Sequence, residues 1–288
     1  MRDFNTEYKK IYELVSDDVE RVKKVVFAEF PDNNPVLERL AEYFSTPSKH
    51  IRAVLSFLYL RSLDISIDDK QILFQTVIEL IHNASLIHDD VIDDSKVRRG
   101  YLSLNYSEGN HLAVILGDYV ISKALKLLCK LHNAEIFELF SNTMSDMCLG
   151  EIIQQNSLYK IPSLEEYIDK TYKKTGALFN MAIAGAINIS GCQGYRVSNF
   201  AKSFGIAFQL RDDIKNVVEN SVNGDIKNGI YAAPVIFGGS VEKYSSGIEK
   251  AVGLSDNYIQ SAVSELKNIK DNKYKTALIE LTELLKYE

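Results

Sequence analysis

Two short acidic runs carry the strongest chemical signal in the sequence. The first, Asp89-Asp90-Val91-Ile92-Asp93-Asp94, closes an apolar stretch of helical spacing. At about 100° per residue, Asp89, Asp90 and Asp93 fall within about 100° of one another on one helix face. Carboxylates packed this closely repel one another unless cations lie between them. Oxygen-only ligands suit a hard ion such as Mg²⁺, which keeps waters and shares its sphere with substrate phosphates. A solvated helix end with a charge run is the plainer alternative, although carboxylates near a helix C-terminus oppose the macrodipole. In the second run, Phe204 to Asn216, Gln209, Asp212, Asp213 and Asn216 share one face of another apolar stretch. Two apolar helices that each end in paired carboxylates predict a bundle with a metal-lined mouth above a central apolar cavity. A diphosphate with an apolar tail suits both parts.

Cations that could meet phosphates are spread along the same chain. Arg98-Arg99-Gly100 follows the first acidic run, and Lys49, His50 and Arg52 stand at the start of a further helix, where backbone N–H groups also favour anions. Lys174-Thr175 lies in the Gly-interrupted stretch KKTGALF, and His82, seven residues before Asp89, returns to nearly the same helix face. Each of these has a plain structural reading: a solvated pair for Arg98 and Arg99, a helix-end cation for Lys174, a core histidine for His82. Their joint occurrence with two acidic runs favours a diphosphate site.

The elements that must hold these residues are helical almost throughout. Ile72, Leu73, Val77, Leu80, Ile81 and Ala84 follow a helical rhythm that runs on towards Val91. From His111 to Leu131 the chain is densely apolar, the pattern of a helix buried on most sides. Similar stretches cover roughly 137–158, 163–189, 197–218, 256–269 and 274–286. Strict alternation is nearly absent, so no sheet is expected. Breaks at 31–35, 46–48, 95–110, 191–194 and 220–229 are too short and too mixed to link domains. The expectation is one all-α domain over residues 1–288, with about ten or more helices.

Composition narrows the function classes. The 288 residues hold 33 Lys plus Arg against 39 Asp plus Glu, a net charge of −6, which argues against a nucleic-acid binder that must neutralise phosphates with excess cations. Cys129, Cys148 and Cys192 form no CxxC and read as reduced core thiols. The first residues show no apolar signal core, and no apolar run approaches the ~20 residues of a membrane span. A cytoplasmic location is expected.

With these residues in view, the chain resembles the trans-isoprenyl (polyprenyl) diphosphate synthase family from Lys49 to Pro234. Glu79-Leu80-Ile81-His82 through His88-Asp89-Asp90-Val91-Ile92-Asp93, with Arg98-Arg99-Gly100, is similar to that family's first Asp-rich motif. Leu116-Gly117-Asp118-Tyr119, Lys174-Thr175 and Phe208-Gln209 with Asp212-Asp213 match later motifs. The resemblance implies an isoprenoid-synthase helical bundle that ionises an allylic diphosphate, condenses it with isopentenyl diphosphate and eliminates a proton. It implies Mg²⁺ on Asp89, Asp90, Asp93, Asp212 and Asp213, with Arg98 and Lys174 on the allylic diphosphate. Lys49, Arg52, His82 and Arg99 would bind isopentenyl diphosphate, and Thr175 and Gln209 would flank the allylic cation. It also implies a homodimer, and a product of the kind handed to membranes.

The chain departs from the family pattern in places. His50 stands for an Arg and Ala53 for a Pro; Asn216 stands for the third acid of the second motif; Ile230 and Ser221 fall where lysines are common. In the family a large aromatic four or five residues before the first Asp stops chain growth early. Here those positions are Ser85 and Ala84, both small, so a medium- or long-chain trans-polyprenyl diphosphate is expected. Alternatives are a farnesyl or geranylgeranyl diphosphate synthase, a partner subunit of a heteromeric synthase and, last, a terpene cyclase. The isopentenyl-side cations argue against the cyclase, and the intact first motif argues against the silent subunit.

Overall fold

The computed structural model describes residues 4–30, 34–192, 197–219 and 224–287. Its first four helices are α1 (Phe4–Glu13), α2 (Ser16–Ala28), α3 (Pro35–Ser45) and α4 (Ile51–Ser62). Then come α5 (Asp69–Ile92), the ribbon β1 (Val97–Arg98) and β2 (Tyr101–Leu102), and α6 (Leu104–Glu108). The middle of the chain forms α7 (Asn110–Cys129), α8 (Ala134–Asn156), α9 (Leu164–Thr171), a π-turn (Tyr172–Gly176) and α10 (Ala177–Ile189). The last helices are α11 (Ser198–Glu219), α12 (Gly224–Lys227), α13 (Ala233–Gly238), α14 (Tyr244–Glu265) and α15 (Lys273–Glu283).

The apolar rhythm that ends in the first acidic run becomes α5, a helix of 24 residues started by the Asp68 side chain, which accepts from the Gln71 N–H at 3.0 Å. Such a cap satisfies one of the free amides of the first turn. Behind α5 stand α4, buried along nearly its whole length, and α10, with its run of small residues. Where the three helices meet, polar side chains tie them. Ser56 Oγ and Gln75 Nε2 both donate to the Ala182 carbonyl at 2.8 Å, and Gln71 Nε2 donates to the Ala186 carbonyl at the same distance. Buried amide groups are costly unless bonded, so these ties fix the relative height of α4, α5 and α10. A large apolar core surrounds these helices, and a smaller one joins α9, α11, α13 and α14 around Tyr167, Ile206, Leu210 and Ile214.

Three expectations need correction. A two-stranded antiparallel ribbon exists, with Val97 opposite Leu102 and Arg98 opposite Tyr101; strands of two residues are too short to show alternation. Helix α7 is not buried on most sides in the single chain, for Val114 and Ile115 are exposed, as are Phe137, Leu149 and Ile152 on α8. Cys129 and Cys148 are exposed rather than core thiols, because they lie on outward faces of α7 and α8; Cys192 is half-buried. No helix among the described residues is long and apolar enough to cross a membrane. Ser221 lies outside the described residues.

Candidate active site

A cavity of about 500 Å³ opens where the end of α5, the start of α4, the ribbon, the π-turn and α11 converge. Its lining gathers Lys49, Arg52, His82, Ser85, Asp89, Arg98, Arg99, Lys174, Thr175, Gln209 and Asp212 from across the sequence. Asp90, Asp93, Asp213 and Ala84 stand outside that lining.

Local geometry explains how each group arrives. Helix α5 stops at Ile92, and Asp94 takes a left-handed φ of 49°, which turns the chain into the ribbon. Arg99 and Gly100, at φ 54° and 84°, form the two-residue turn of that ribbon. Two successive positive φ values match the twist of short hairpins, and glycine takes the second without strain. The turn folds the arginines back over the end of α5. Arg98 Nε donates to Asp90 Oδ1 at 2.9 Å and its Nη2 reaches the same oxygen. Asn105 Nδ2 donates to the Asp90 backbone carbonyl at 3.0 Å, fixing the helix end from below. Asp90 is therefore a buried ion-pair partner of Arg98, and its Oδ2 is buried with no hydrogen-bond partner. Asp93 caps the helix through its N–H to the Asp89 carbonyl at 2.8 Å and is exposed beside the cavity.

Across the cavity, the π-turn presents Lys174 and Thr175. The Ala177 N–H reaches back five residues to the Tyr172 carbonyl, widening the helix by one residue where the two side chains emerge. Two glycines let neighbouring helices close on this turn. A Cβ on Gly150 of α8 would lie 2.7 Å from the Lys174 nitrogen, and one on Gly205 of α11 would lie 2.6 Å from the Gly176 Cα. One turn beyond Gly205, Gln209 meets the π-turn, and Thr175 Oγ1 donates to its Oε1 at 3.0 Å. Gln209 Nε2 in turn donates to Asp213 Oδ1 at 2.8 Å, and the Tyr167 hydroxyl donates to Asp213 Oδ2 at 2.6 Å. Both Asp213 oxygens thus accept hydrogen bonds behind the cavity wall.

The charges fall into distinct neighbourhoods. Burial pushes the Asp89 carboxyl up to about 6; Glu151 and Asp93 add to the rise, while Lys174 and Arg98 oppose it. Burial likewise lifts Asp212 to about 6, helped by Asp213 and opposed by Arg211, Lys49 and Lys215. Lys174 is ion-paired with Glu151, and although burial works against its charge, Asp89 and Glu151 hold its pKa above the ordinary value. Around Arg52 the balance is cationic. Burial lowers Arg52 to about 10, against the pull of Glu79. Burial, with Arg52 and Arg99 close by, holds His82 well below its usual range. Lys49 is also lowered, by burial and then by Arg211.

The donor set suits a hard divalent ion. Asp89 and Asp212 are carboxylates whose charge burial disfavours, so a cation beside them restores it. Among the described residues, no three His, Cys, Asp or Glu side chains converge to cage a metal by themselves.

Several groups escape a reading of the sequence. Glu79 on α5 accepts from His50 Nδ1 at 2.8 Å and is buried beside Arg52; the sequence shows it at the head of the first motif but assigns it no role. Glu151, the partner of Lys174, sits mid-helix with no motif to mark it. The Phe4 ring lies under both Lys49 Nζ and the Arg211 guanidinium, 4.2 and 4.4 Å from its centroid, and Tyr8 donates to the Lys49 carbonyl at 2.5 Å. Helix α1 thereby holds the segment that carries Lys49. Of the two chain-length candidates, Ser85 reaches the cavity, whereas Ala84 is buried in the large core.

Comparison with known proteins adds that the family model for polyprenyl synthetase matches residues 34–269. The chain belongs to the polyprenyl synthetase family. It is similar to decaprenyl-diphosphate synthase of Dictyostelium discoideum, 29% identical over 88% of this chain and 62% of that protein. It is also similar to solanesyl diphosphate synthase 2, chloroplastic, of Arabidopsis thaliana, 33% identical over 79% of this chain and 58% of that protein. The chain thus spans about three fifths of the length of these relatives. A solved decaprenyl diphosphate synthase from Rhodobacter capsulatus superposes with a TM-score of 0.89 at 20% identity, covering 96% of this chain and 98% of that one, which establishes the all-α polyprenyl synthetase fold.

Proposed function

We propose that this polyprenyl synthetase joins isopentenyl diphosphate to an allylic prenyl diphosphate and builds a medium- or long-chain trans-polyprenyl diphosphate. The observation that carries the reading is a single cavity with two anion neighbourhoods. Arg52 and Arg99 form a cationic one around His82, with Lys49 at its edge, while Asp89, Lys174 and Arg98 form one suited to a metal-bound diphosphate. A hydrolase or cyclase acting on one diphosphate has no use for the first.

In this reading Asp89, Asp93 and Asp212 hold Mg²⁺, and Asp90 and Asp213, counted as ligands from the sequence alone, instead hold Arg98 and Gln209. Bound Mg²⁺ supplies charge stabilisation for a leaving diphosphate. Arg98 and Lys174 bind the allylic diphosphate. Lys49, Arg52 and Arg99 bind isopentenyl diphosphate as cations, and His82, neutral in its buried cationic setting, does so as a hydrogen-bond donor. Thr175 and Gln209 flank the allylic carbon, where fixed dipoles stabilise developing charge and positioning raises the rate. Ser85, Leu86 and Phe208 begin the path of the prenyl tail.

The described helices act as one catalytic unit in this reading. A second copy of the chain covers the exposed apolar residues of α7 and α8, giving a homodimer. The unpaired cysteines suit a reducing compartment such as the cytoplasm.

The test is incubation of the purified chain with Mg²⁺, farnesyl diphosphate and labelled isopentenyl diphosphate, followed by chromatography of dephosphorylated products. Elongated prenyl alcohols past the geranylgeranyl length are expected, and Ser85→Phe should shorten them. Hydrocarbon release, or silence until another subunit is added, would overturn the reading.

A further inference from the structure

The hydrogen-bond chain behind the cavity wall has a fixed polarity. Gln209 turns its NH₂ group to Asp213 Oδ1, which accepts from it at 2.8 Å, and its carbonyl oxygen the other way, towards Thr175. That carbonyl oxygen can only accept as well, so Thr175 must spend its hydroxyl proton on Gln209 Oε1. The Thr175 oxygen is left with lone pairs and no proton to present to the cavity it lines. Tyr167 stands at the far end, where the Thr171 side chain and the Ala233 backbone also lie against its hydroxyl. Its ring is buried in the smaller core against Ile206, Leu210 and Ile214. Burial and the Asp213 charge hold its phenol well above the usual range, so it remains a donor.

We propose that Tyr167 is a positioning residue for prenyl transfer: through Asp213 and Gln209 it holds the lone pairs of the Thr175 hydroxyl towards the carbon that becomes positive. The inference rests on the prenyl-transfer reading of the cavity. A hydroxyl with its lone pairs facing a carbocation lowers the cation's energy, whereas the same hydroxyl with its proton facing it raises that energy. A dipole fixed before the reaction needs no reorganisation when charge develops, which is what makes such groups effective in a water-poor site. Tyr167 and Asp213 touch neither substrate; they decide which way two residues that do touch it can point. Each Asp213 oxygen accepts one hydrogen bond of this chain.

The experiment compares wild type with Tyr167→Phe and Asp213→Asn by steady-state kinetics with farnesyl and isopentenyl diphosphates, each variant also titrated with Mg²⁺. Tyr167→Phe keeps the ring and removes the donor. Asp213→Asn keeps the shape and lets the amide chain run in either direction. Both should lower kcat by about tenfold to a hundredfold. Both KM values and the Mg²⁺ concentration for half-maximal rate should stay within about twofold, since neither substrate nor metal contact is lost. Should Tyr167→Phe fail to fold, Asp213→Asn decides alone. A kcat at the wild-type value in a folded variant overturns the inference, as does a raised Mg²⁺ requirement in Asp213→Asn, which would make Asp213 a metal ligand. If wild type itself forms no elongated product, the failure belongs to the prenyl-transfer reading.

Discussion

At the end of α5, Asp89 faces the cavity while Asp90 is buried against Arg98; on α11, Asp212 faces the cavity while Asp213 is held by Tyr167 and Gln209. Both pairs place one carboxylate forward and one behind it. The forward members are alike, each lifted to about 6 by burial. The rear members differ. Asp90 is ion-paired with Arg98, whereas the oxygens of Asp213 accept from two neutral donors, Tyr167 and Gln209. A charge balanced by a charge must lose its partner at great cost, while a charge held by dipoles can still be perturbed and can pass on orientation. The α5 pair thus builds an electrostatic anchor, and the α11 pair sets the direction of a hydrogen-bond chain.

The most severe break of this comparison is Asp89→Ala against Asp212→Ala. Asp89 stands where Lys174, Glu151 and Arg98 converge, so its loss should cost about a thousandfold in turnover, and that of Asp212 about a hundredfold. Steady-state rates with circular dichroism as a fold control check this; near-normal turnover in Asp89→Ala would remove the α5 end from the site. Next in size is stability. Arg98→Ala leaves Asp90 buried and unpaired and should cost about 3–5 kcal/mol in urea unfolding. Tyr167→Phe removes one neutral donor from Asp213 and should cost only about 1–2 kcal/mol. Equal losses would dissolve the distinction between the two rear carboxylates.

How much of this was legible before any fold was known follows from the same contrast. The forward carboxylates and the cations Lys49, Arg52, His82, Arg98, Arg99 and Lys174 could be picked out because they are polar residues within or beside stretches whose apolar rhythm is plainly helical, and because they occur together with two acidic runs. What each rear carboxylate touches could not. Asp90 and Asp213 occupy the same faces as Asp89 and Asp212 in angular arithmetic; the ribbon, only eight residues on, brings Arg98 to Asp90, and α9, 46 residues away, brings Tyr167 to Asp213. The ribbon itself was hidden because two-residue strands have no period, although Arg99-Gly100 carries the turn chemistry that closes it. Ala84 and Ser85 were equivalent as small residues; packing against the core separates them.

Two finer tests sharpen the comparison. Asn216→Asp would give the α11 side a third acid, as Asp93 does on the α5 side, and should lower the Mg²⁺ concentration for half-maximal rate a few-fold, because a carboxylate is a harder and charged ligand. An unchanged requirement would place Asn216 outside the metal shell. The smallest effect is on pH. A carboxyl whose pKa is raised on folding binds its proton more tightly in the native state, so native stability falls as pH rises from the unfolded value near 4 to the folded value near 6. In metal-free protein, Asp89→Asn and Asp212→Asn should each melt above wild type at pH 7, and this advantage should shrink towards pH 5. Melting curves across that range, in buffer with chelator, would show a constant difference if burial did not raise these groups.

The π-turn at Tyr172–Gly176 makes α9 and α10 two rods spliced out of phase. One extra residue in a helical turn rotates everything beyond it by about 100° and advances it by about 1.5 Å. Upstream of the splice the rod shows Tyr167 to the smaller core; downstream it shows Met181, Ala182 and Ile183 to the larger one. Removing one residue from the splice would repair the hydrogen-bond ladder and yield a more regular helix. It would also leave the two cores demanding incompatible phases of a single rod, with Lys174 and Thr175 swung off the cavity whichever core prevailed. The irregular turn works as a clutch between the two cores, and the length of this segment should tolerate point substitution far better than insertion or deletion.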